Sequence, residues 1–119
     1  MSFNSEGYFC EGEVEKDWQF KMEFGRIILS DKDVSFIKKS NINLTEIGTN
    51  FNKFNEGFKI PLLKINKVFN LKKDKIYVVI IETTDGYIFS ATFAEYRNSG
   101  KKKSIELTEL INRNILKGF

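Results

Sequence analysis

Residues 75–93 read KIYVVIIETTDGYIFSATF, and this stretch decides the fold. It contains two runs rich in β-branched and aromatic residues, from Lys75 to Thr84 and from Tyr87 to Phe93. They are separated by Asp85-Gly86, a dipeptide that strongly favours a tight β-hairpin turn. The sequence therefore predicts two adjacent antiparallel strands here.

The stretch N-terminal to residue 40 predicts three more strands. Residues 18–24 alternate apolar and polar side chains, which is the period of a half-buried strand, and its apolar members are expected in the core: Trp18, Phe20, Met22 and Phe24. Residues 26–30 and 34–39 flank the turn signal Asp31-Lys32-Asp33 and predict a hairpin.

The middle of the chain predicts two further strands. Phe58, Ile60 and Leu62 share one face, and Pro61 confines that strand to a sheet edge or a strand end. A short turn and another strand follow over residues 63–71. Residues 40–57 are Asn-rich with irregular apolar spacing, and both a long loop and an irregular strand pair remain open for them.

One amphipathic helix is predicted from about Ser104 to Lys117. Ser104 is the expected N-cap and Gly118 suits the position after the helix. The residues at helical spacing on one face are Leu107, Leu110, Ile111 and Ile115. We expect this face to lie on a sheet or to close the end of a barrel.

These elements together predict the fold class. About seven antiparallel strands followed by one C-terminal helix is an α+β, mainly β arrangement, of the pleckstrin-homology-like (PH-like) kind, with a sandwich or partly open barrel. A chain of 119 residues is near the commonest domain size, so a single domain is expected over residues 1–119.

The composition excludes several kinds of catalytic site. Histidine is absent, which excludes Ser-His-Asp and Cys-His nucleophile systems and His-ligated zinc. The single cysteine, Cys10, excludes an intramolecular disulfide and is expected to be a small buried residue. The eight glycines form no phosphate-binding pattern. No enzyme activity, cofactor or metal is expected, and Glu11, Glu13 and Glu15 are interpreted as a solvated acidic face.

The N-terminus carries no secretory signal, and the longest apolar run, Tyr77 to Ile81, is far too short to cross a bilayer. A cytoplasmic protein without an integral membrane segment is therefore expected. The lysines are dispersed among core positions rather than clustered with arginine, which argues against nucleic acid as a partner.

The charge is uneven along the chain. Residues 1–25 carry six acids and two lysines, a balance of −4, so the remainder carries +7 of the total +3. The candidate partner-binding residues are cations and two aromatics: Arg26, Phe51, Phe54, Lys72, Lys73, Lys75, Lys101, Lys102 and Lys103. For these lysines, solvated side chains are favoured over a binding surface, and as a binding surface they suit an acidic protein more than anionic lipid. For Arg26, an exposed or local ion pair is favoured over an anchor for a partner carboxylate.

A family resemblance rests on two blocks. They are residues 25–36, GRIILSDKDVSF, and residues 58–68, FKIPLLKINKV. Their order resembles the paired strands of PH-like and GRAM-like domains, and within that superfamily it is most similar to the N-terminal domain of the archaeal taxis protein CheF. The similarity extends over residues 18–118 and closes on NRNILKG at residues 112–118.

The resemblance implies a noncatalytic adaptor in archaeal chemotaxis. CheF proteins link the phosphorylated response regulator CheY to the archaellum motor and its switch proteins. The partners expected from it are therefore a CheY-type receiver and archaellum switch proteins. Two other functions remain open from the sequence: an anionic-lipid-binding domain of PH or GRAM type, and a dimerisation module that pairs through the edge near Pro61 or through the helix.

Overall fold

The structure is a computed structural model, and it describes residues 3–38 and 57–117. Within them, seven antiparallel strands form one open sheet in the order β4-β3-β2-β1-β7-β6-β5. The strands are β1 (Phe3–Glu11), β2 (Glu23–Leu29), β3 (Asp33–Lys38), β4 (Gly57–Pro61), β5 (Ile65–Lys73), β6 (Ile76–Thr83) and β7 (Ile88–Thr92). The helices are α1 (Trp18–Lys21) and α2 (Lys101–Lys117), and a 3-10 turn spans Leu62–Lys64. The prediction of a mainly antiparallel β protein with a C-terminal helix is confirmed.

Strand β1 joins the two halves of the sheet. Its residues Phe3 to Phe9 pair with β2, whereas only Tyr8 to Glu11 pair with β7. At the change of partner, Gly7 lies directly opposite Gly25 of β2. A Cβ atom on Gly25 would lie 2.0 Å from the carbonyl oxygen of Ile37, so only glycine fits this close approach of backbones.

The main core lies between the inner faces of the two half-sheets and α2. Leu107 and Ile111 of α2 are fully buried against it, and Leu110 and Ile115 pack at its margin. The predicted apolar face of the helix is therefore confirmed. The strands contribute aromatic and β-branched side chains from both halves: Phe3, Phe9, Ile27, Leu29, Val34, Phe36, Ile60, Val68, Val79, Ile81, Phe89 and Ala91.

A second apolar cluster lies on the outer face of β5, β6 and β7. Val78 and Ile80 point to this face, and Val14 and Trp18 of the β1–β2 connection cover them. Strand β6 is consequently buried on both faces, because alternate residues of a strand point in opposite directions. This explains why its sequence is an unbroken apolar run rather than an alternating one.

The predicted strand over residues 18–24 is wrong. Residues Trp18–Lys21 form the short helix α1, and β2 begins only at Glu23. Asp17 has a left-handed backbone (φ 59°), which an extended strand does not accommodate. Trp18 is buried and Met22 is half-buried in the outer cluster, but Phe20 is 88% exposed, so its assignment to the core was also wrong. Phe24 is 39% exposed, likewise outside the core.

Strand β1 takes the place of the wrongly predicted strand. Its buried positions include Phe3, Ser5, Gly7 and Phe9, with exposed residues between them. Two inward positions of this strand are serine and glycine. A strand is recognised from the sequence by alternating large apolar residues, so this segment looks polar and was not predicted as a strand. Residues 3–38 and 57–117 contain seven strands, the number predicted, although one of them was misplaced.

The helix begins earlier than the predicted N-cap. Helix α2 starts at Lys101, so Ser104 lies inside it and is fully buried. The Ser104 hydroxyl donates a 3.2 Å hydrogen bond to the Tyr77 carbonyl and thereby ties the helix to β6. Gly100 precedes the helix with a positive φ of 73°. Gly118 lies outside the described residues.

The predicted turns hold up with adjusted boundaries. The Gly86 amide donates 3.1 Å to the Thr83 carbonyl, and Gly86 has a φ of 93°, so the Asp85-Gly86 hairpin is confirmed. The β2–β3 hairpin and the edge position of β4 are confirmed too. The turn and strand expected over residues 63–71 correspond to the 3-10 turn and β5. The segment 40–57 lies outside the described residues, except for Gly57 at the start of β4.

Candidate protein-binding surface

Three exposed aromatic side chains line two adjoining openings in the surface, namely Tyr8, Phe24 and Tyr96. A fourth, Phe20, lies in α1 next to Gln19, which lines the same opening as Tyr8 and Tyr96. We call Tyr8, Phe20, Phe24 and Tyr96 the aromatic surface; Phe20 and Tyr96 are each 88% exposed, and Tyr8 and Phe24 are each 39% exposed. The Tyr8 and Phe24 rings lie 5.1 Å apart between centroids, from neighbouring strands. Exposed aromatic side chains grouped in this way are typical of sites that bind another molecule.

An apolar pocket of about 280 Å³ lies within the aromatic surface. It is bounded by α1, the start of β6 and the segment after β7, and its lining residues include Tyr8, Trp18, Met22, Ile76 and Tyr96. Trp18 is held in place because its Nε1 donates a 3.0 Å hydrogen bond to Asp74 Oδ2. The floor of the pocket is therefore fixed by the fold, while Tyr96 at its rim is exposed.

A second, more polar opening of about 520 Å³ continues from the apolar pocket. The two share Tyr8, Ala94 and Glu95 in their linings. It forms because β7 ends at Thr92, so the Phe3–Gly7 part of β1 has β2 as its neighbour but not β7. The two openings together make one groove with an apolar end and a polar end.

Arg26 lines the polar end of the groove with partners from its own sheet. Its guanidinium donates a 2.5 Å hydrogen bond to Asn4 Oδ1 and lies 3.6 Å from a Glu6 carboxylate oxygen. Glu6 is its direct neighbour across β1 and β2. This is the local ion pair that the sequence favoured for Arg26, and such exposed pairs contribute little stability.

The six candidate lysines do not form one continuous basic surface. Lys73 Nζ donates 2.9 Å to the Val14 carbonyl, and Lys103 Nζ donates 3.0 Å to the Ser5 hydroxyl on β1. Lys102 lines a small pocket beside Glu95, while Lys75 lies in the turn between β5 and β6.

Lys72 and Lys101 are the two candidate lysines that the structure brings together. Their Nζ atoms lie 5.6 and 5.7 Å from the centroid of the Tyr77 ring. Phe51 and Phe54, the candidate aromatic residues, lie outside the described residues. The candidate partner-binding residues that the structure describes therefore lie in several separate parts of the surface and not in one site.

Cys10 is buried as expected, with 9% of its surface exposed. Burial raises the pKa of its thiol, and the charge of Lys21 opposes this to a smaller extent. A raised pKa disfavours the reactive thiolate. Glu11, Glu13 and Glu15 are exposed, and within residues 3–38 and 57–117 no three acidic or cysteine side chains are grouped so as to hold a metal ion.

Sequence reasoning missed most of the aromatic surface. Tyr8 precedes Phe9 and Cys10 without alternation, Tyr96 stands between Glu95 and Arg97, and Phe20 was assigned to the core. Their grouping depends on contacts between β1, α1 and the segment after β7, which are distant in the sequence. The pattern from which Phe20 was predicted was the apolar–polar alternation over residues 18–24, and it led to the wrong assignment.

No family model matches this sequence, and a search of curated proteins found no match. Across the described residues, no helix is long and apolar enough to cross a bilayer. The structure thus defines the class as a mainly antiparallel β protein with a C-terminal helix.

Proposed function

We propose that this chain is a noncatalytic protein-binding domain and that its partner docks on the aromatic surface. The observation that carries the proposal is the 88% exposed ring of Tyr96 at the rim of an apolar pocket, together with the equally exposed Phe20, whose chain neighbour Gln19 lines the same pocket. Binding energy at protein interfaces is concentrated in a few aromatic side chains that fill or rim a pocket. A partner side chain entering this pocket would bury both its own apolar area and that of Tyr96.

The chemistry of the pocket supports binding rather than catalysis. Its lining is aromatic, aliphatic and amide-bearing, with Glu95 as its carboxylate. General acid–base catalysis needs a titratable group held against a second positioned group. The Glu95 side chain is exposed, and its backbone pairs with Asn98 in a small turn.

We further propose a PH-like identity for the fold. Seven antiparallel strands, the strand order with β1 between β2 and β7, and a C-terminal helix packed against β5 and β6 support it. This identity supports the role implied by the resemblance, an adaptor in archaeal taxis whose partners are a CheY-type receiver or an archaellum switch protein. A fold alone does not define function, so the partner is tested separately.

The test is a calorimetric titration of the chain with a purified archaeal CheY-type receiver, with and without a phosphoryl mimic. We expect binding that depends on the mimic. In the double variant Phe20→Ser/Tyr96→Ser it should weaken by about tenfold or more, since each lost aromatic contact at an interface centre is worth about 1–2 kcal/mol or more.

The matched control is Leu63→Ser/Tyr87→Ser, which removes two exposed apolar side chains elsewhere on the surface, 72% and 56% exposed. This control should bind like the original chain. Binding that is equally weak in both double variants contradicts the proposed surface. Absence of binding to the receiver in either state contradicts the taxis role.

A further inference from the structure

Strands β5 and β6 and helix α2 place two lysine side chains beside the ring of one tyrosine. Lys72 of β5 is the direct cross-strand neighbour of Tyr77 of β6, and Lys101 is the first residue of α2. Both Nζ atoms lie within 6 Å of the Tyr77 ring centroid, the range of a cation–π contact. We call these three residues the lysine–tyrosine site.

The backbone of Tyr77 fixes the geometry of this site. The Tyr77 amide donates 3.0 Å to the Ser99 carbonyl, just before the helix. The Tyr77 carbonyl accepts hydrogen bonds from the hydroxyls of Thr92 and Ser104, at 2.8 and 3.2 Å. The start of α2 is thus hydrogen-bonded to β6 at Tyr77, the residue whose ring both lysines approach. The backbone therefore holds the parts of the site that carry Tyr77 and Lys101 next to each other.

The charge of the site is not balanced by the described part of the chain. Neither lysine forms an ion pair with a carboxylate there, and the first turn of α2 contains no acidic residue. The nearest acid in sequence, Asp74, accepts the hydrogen bond of Trp18 instead. Two cations on one ring repel each other, and a nearby anion would lower the energy of both.

The distribution of the lysines favours a protein partner over a membrane. Binding to anionic membranes usually uses clusters of about four to eight basic residues on one face. Here Lys73 and Lys103 are directed to Val14 and to β1, and Lys102 lines a separate small pocket. Of the six candidates, Lys72 and Lys101 are the two that contact the same ring. Two fixed cations around an aromatic ring suit a pair of neighbouring carboxylates.

We propose that the lysine–tyrosine site binds a carboxylate-rich segment of a protein partner. The inference rests on the proposed function, because it specifies the charge of the partner. The site lies at the same end of β6 as the aromatic surface but on the opposite face: Ile76 lines the apolar pocket, whereas Tyr77 shares the inner face with Val79 and Ile81. A partner therefore reaches both by passing around the β5–β6 turn.

The test uses a fluorescently labelled short poly-glutamate peptide and measures its anisotropy at low ionic strength. We expect the chain to bind this peptide, with an affinity that falls as salt is added. The double variant Lys72→Gln/Lys101→Gln should bind about tenfold more weakly, as expected when two ion pairs of about 0.7 kcal/mol each are lost.

The control variant Lys64→Gln/Lys67→Gln removes the same charge from the opposite end of β5 and the turn before it. When the affinities are compared at about 0.15 M salt, where the Debye length is about 8 Å, this control should lose less than about twofold in affinity, since its charges are then largely screened from the lysine–tyrosine site. Equal losses in both double variants would show attraction by net charge alone and overturn the proposal. So would binding to phosphatidylserine vesicles without binding to the peptide.

The two proposals fail in different ways. If the peptide does not bind while the receiver still binds through Phe20 and Tyr96, the lysine–tyrosine site is not an acidic-segment site and the proposed function stands. If the peptide binds as expected but Phe20→Ser/Tyr96→Ser has no effect on protein binding, the aromatic surface is wrong instead. Circular dichroism of each variant establishes that it is folded.

Discussion

Trp18 and Asp74 are joined by a 3.0 Å hydrogen bond from the indole Nε1 to a carboxylate oxygen, although 56 residues separate them in the sequence. The bond connects α1 to the turn between β5 and β6 and fixes the floor of the apolar pocket. Trp18 is 2% exposed, so an indole N–H without this acceptor would be buried without a partner.

The first prediction concerns this bond. Asp74→Ala should lower the free energy of unfolding by about 1–3 kcal/mol, because it removes the acceptor of a partly buried donor. Asp74→Asn keeps an acceptor oxygen and tolerates the left-handed backbone at this position (φ 52°), so it should cost less than about 1 kcal/mol. Urea unfolding followed by circular dichroism measures both. Equal losses for alanine and asparagine would contradict the role of the bond.

The second prediction concerns Lys75, the other residue of the same turn. Asp74 and Lys75 both have positive φ, 52° and 67°, as in the type I′ turns that favour glycine at the second position. Lys75→Gly should therefore raise the free energy of unfolding by about 0.5–1 kcal/mol. Lys75→Ala removes the charge but keeps the backbone strain, so a similar gain from alanine would refute this explanation.

The third prediction compares the two paired glycines. In Gly25→Ala the new methyl group would meet backbone atoms of Ile37 at 2.0 and 2.9 Å, which cannot move without breaking β3 from β2. In Gly7→Ala the contacts are all at 3.0 Å, and two of them are side-chain carbons of Ile27 and Phe93. We expect a loss of about 3 kcal/mol or more for Gly25 and about 1 kcal/mol for Gly7. Thermal unfolding of both variants shows which substitution costs more stability. A larger loss for Gly7→Ala than for Gly25→Ala would contradict the close approach of the Gly25 and Ile37 backbones.

The fourth prediction concerns the pH dependence of the β6–β7 turn. The hydrogen bond from the Thr83 hydroxyl, the largest cause, holds the pKa of Asp85 below its ordinary value of 3.8. A lowered pKa in the folded state means that the turn is stabilised above pH 3.8 and that this contribution disappears as pH falls through the folded-state pKa.

Thr83→Val removes the hydroxyl at nearly constant volume, so the pKa of Asp85 should rise towards its ordinary value. A carbon-detected NMR titration of the Asp85 carboxyl group measures the shift directly. An unchanged Asp85 pKa in the variant would exclude Thr83 as the main cause.

The sequence allowed much of the fold to be predicted, and the errors have identifiable causes. The β6–β7 hairpin and the apolar face of α2 followed from periodicity and turn residues that act locally. The prediction of a strand over residues 18–24 was wrong because Trp18 and Met22 pack on the outer face of β5–β7. No local sequence pattern indicates that contact. The start of α2 was misplaced because Ser104 makes its hydrogen bond to β6, a distant strand.

The candidate sites were harder to predict than the fold. The sequence pattern of lysines does not show which of them will share a surface. Four of the six candidates are separated by their contacts, two with Tyr77, one with Val14 and one with Ser5. The aromatic surface depends on how the β1–β2 connection and the segment after β7 meet. Both are consequences of tertiary packing rather than of local sequence.

The most direct test of the central claim, that the aromatic surface binds a protein, is site-specific photo-crosslinking in cells that contain the natural partners. A photoreactive phenylalanine analogue is placed at Tyr96 in one variant and at Tyr87 in another, since both side chains are exposed. We predict that a discrete heterologous product forms from position 96 and not from position 87, and that Phe20→Ser abolishes it. The same products from both positions, or a product that persists unchanged with Phe20→Ser, would contradict the account.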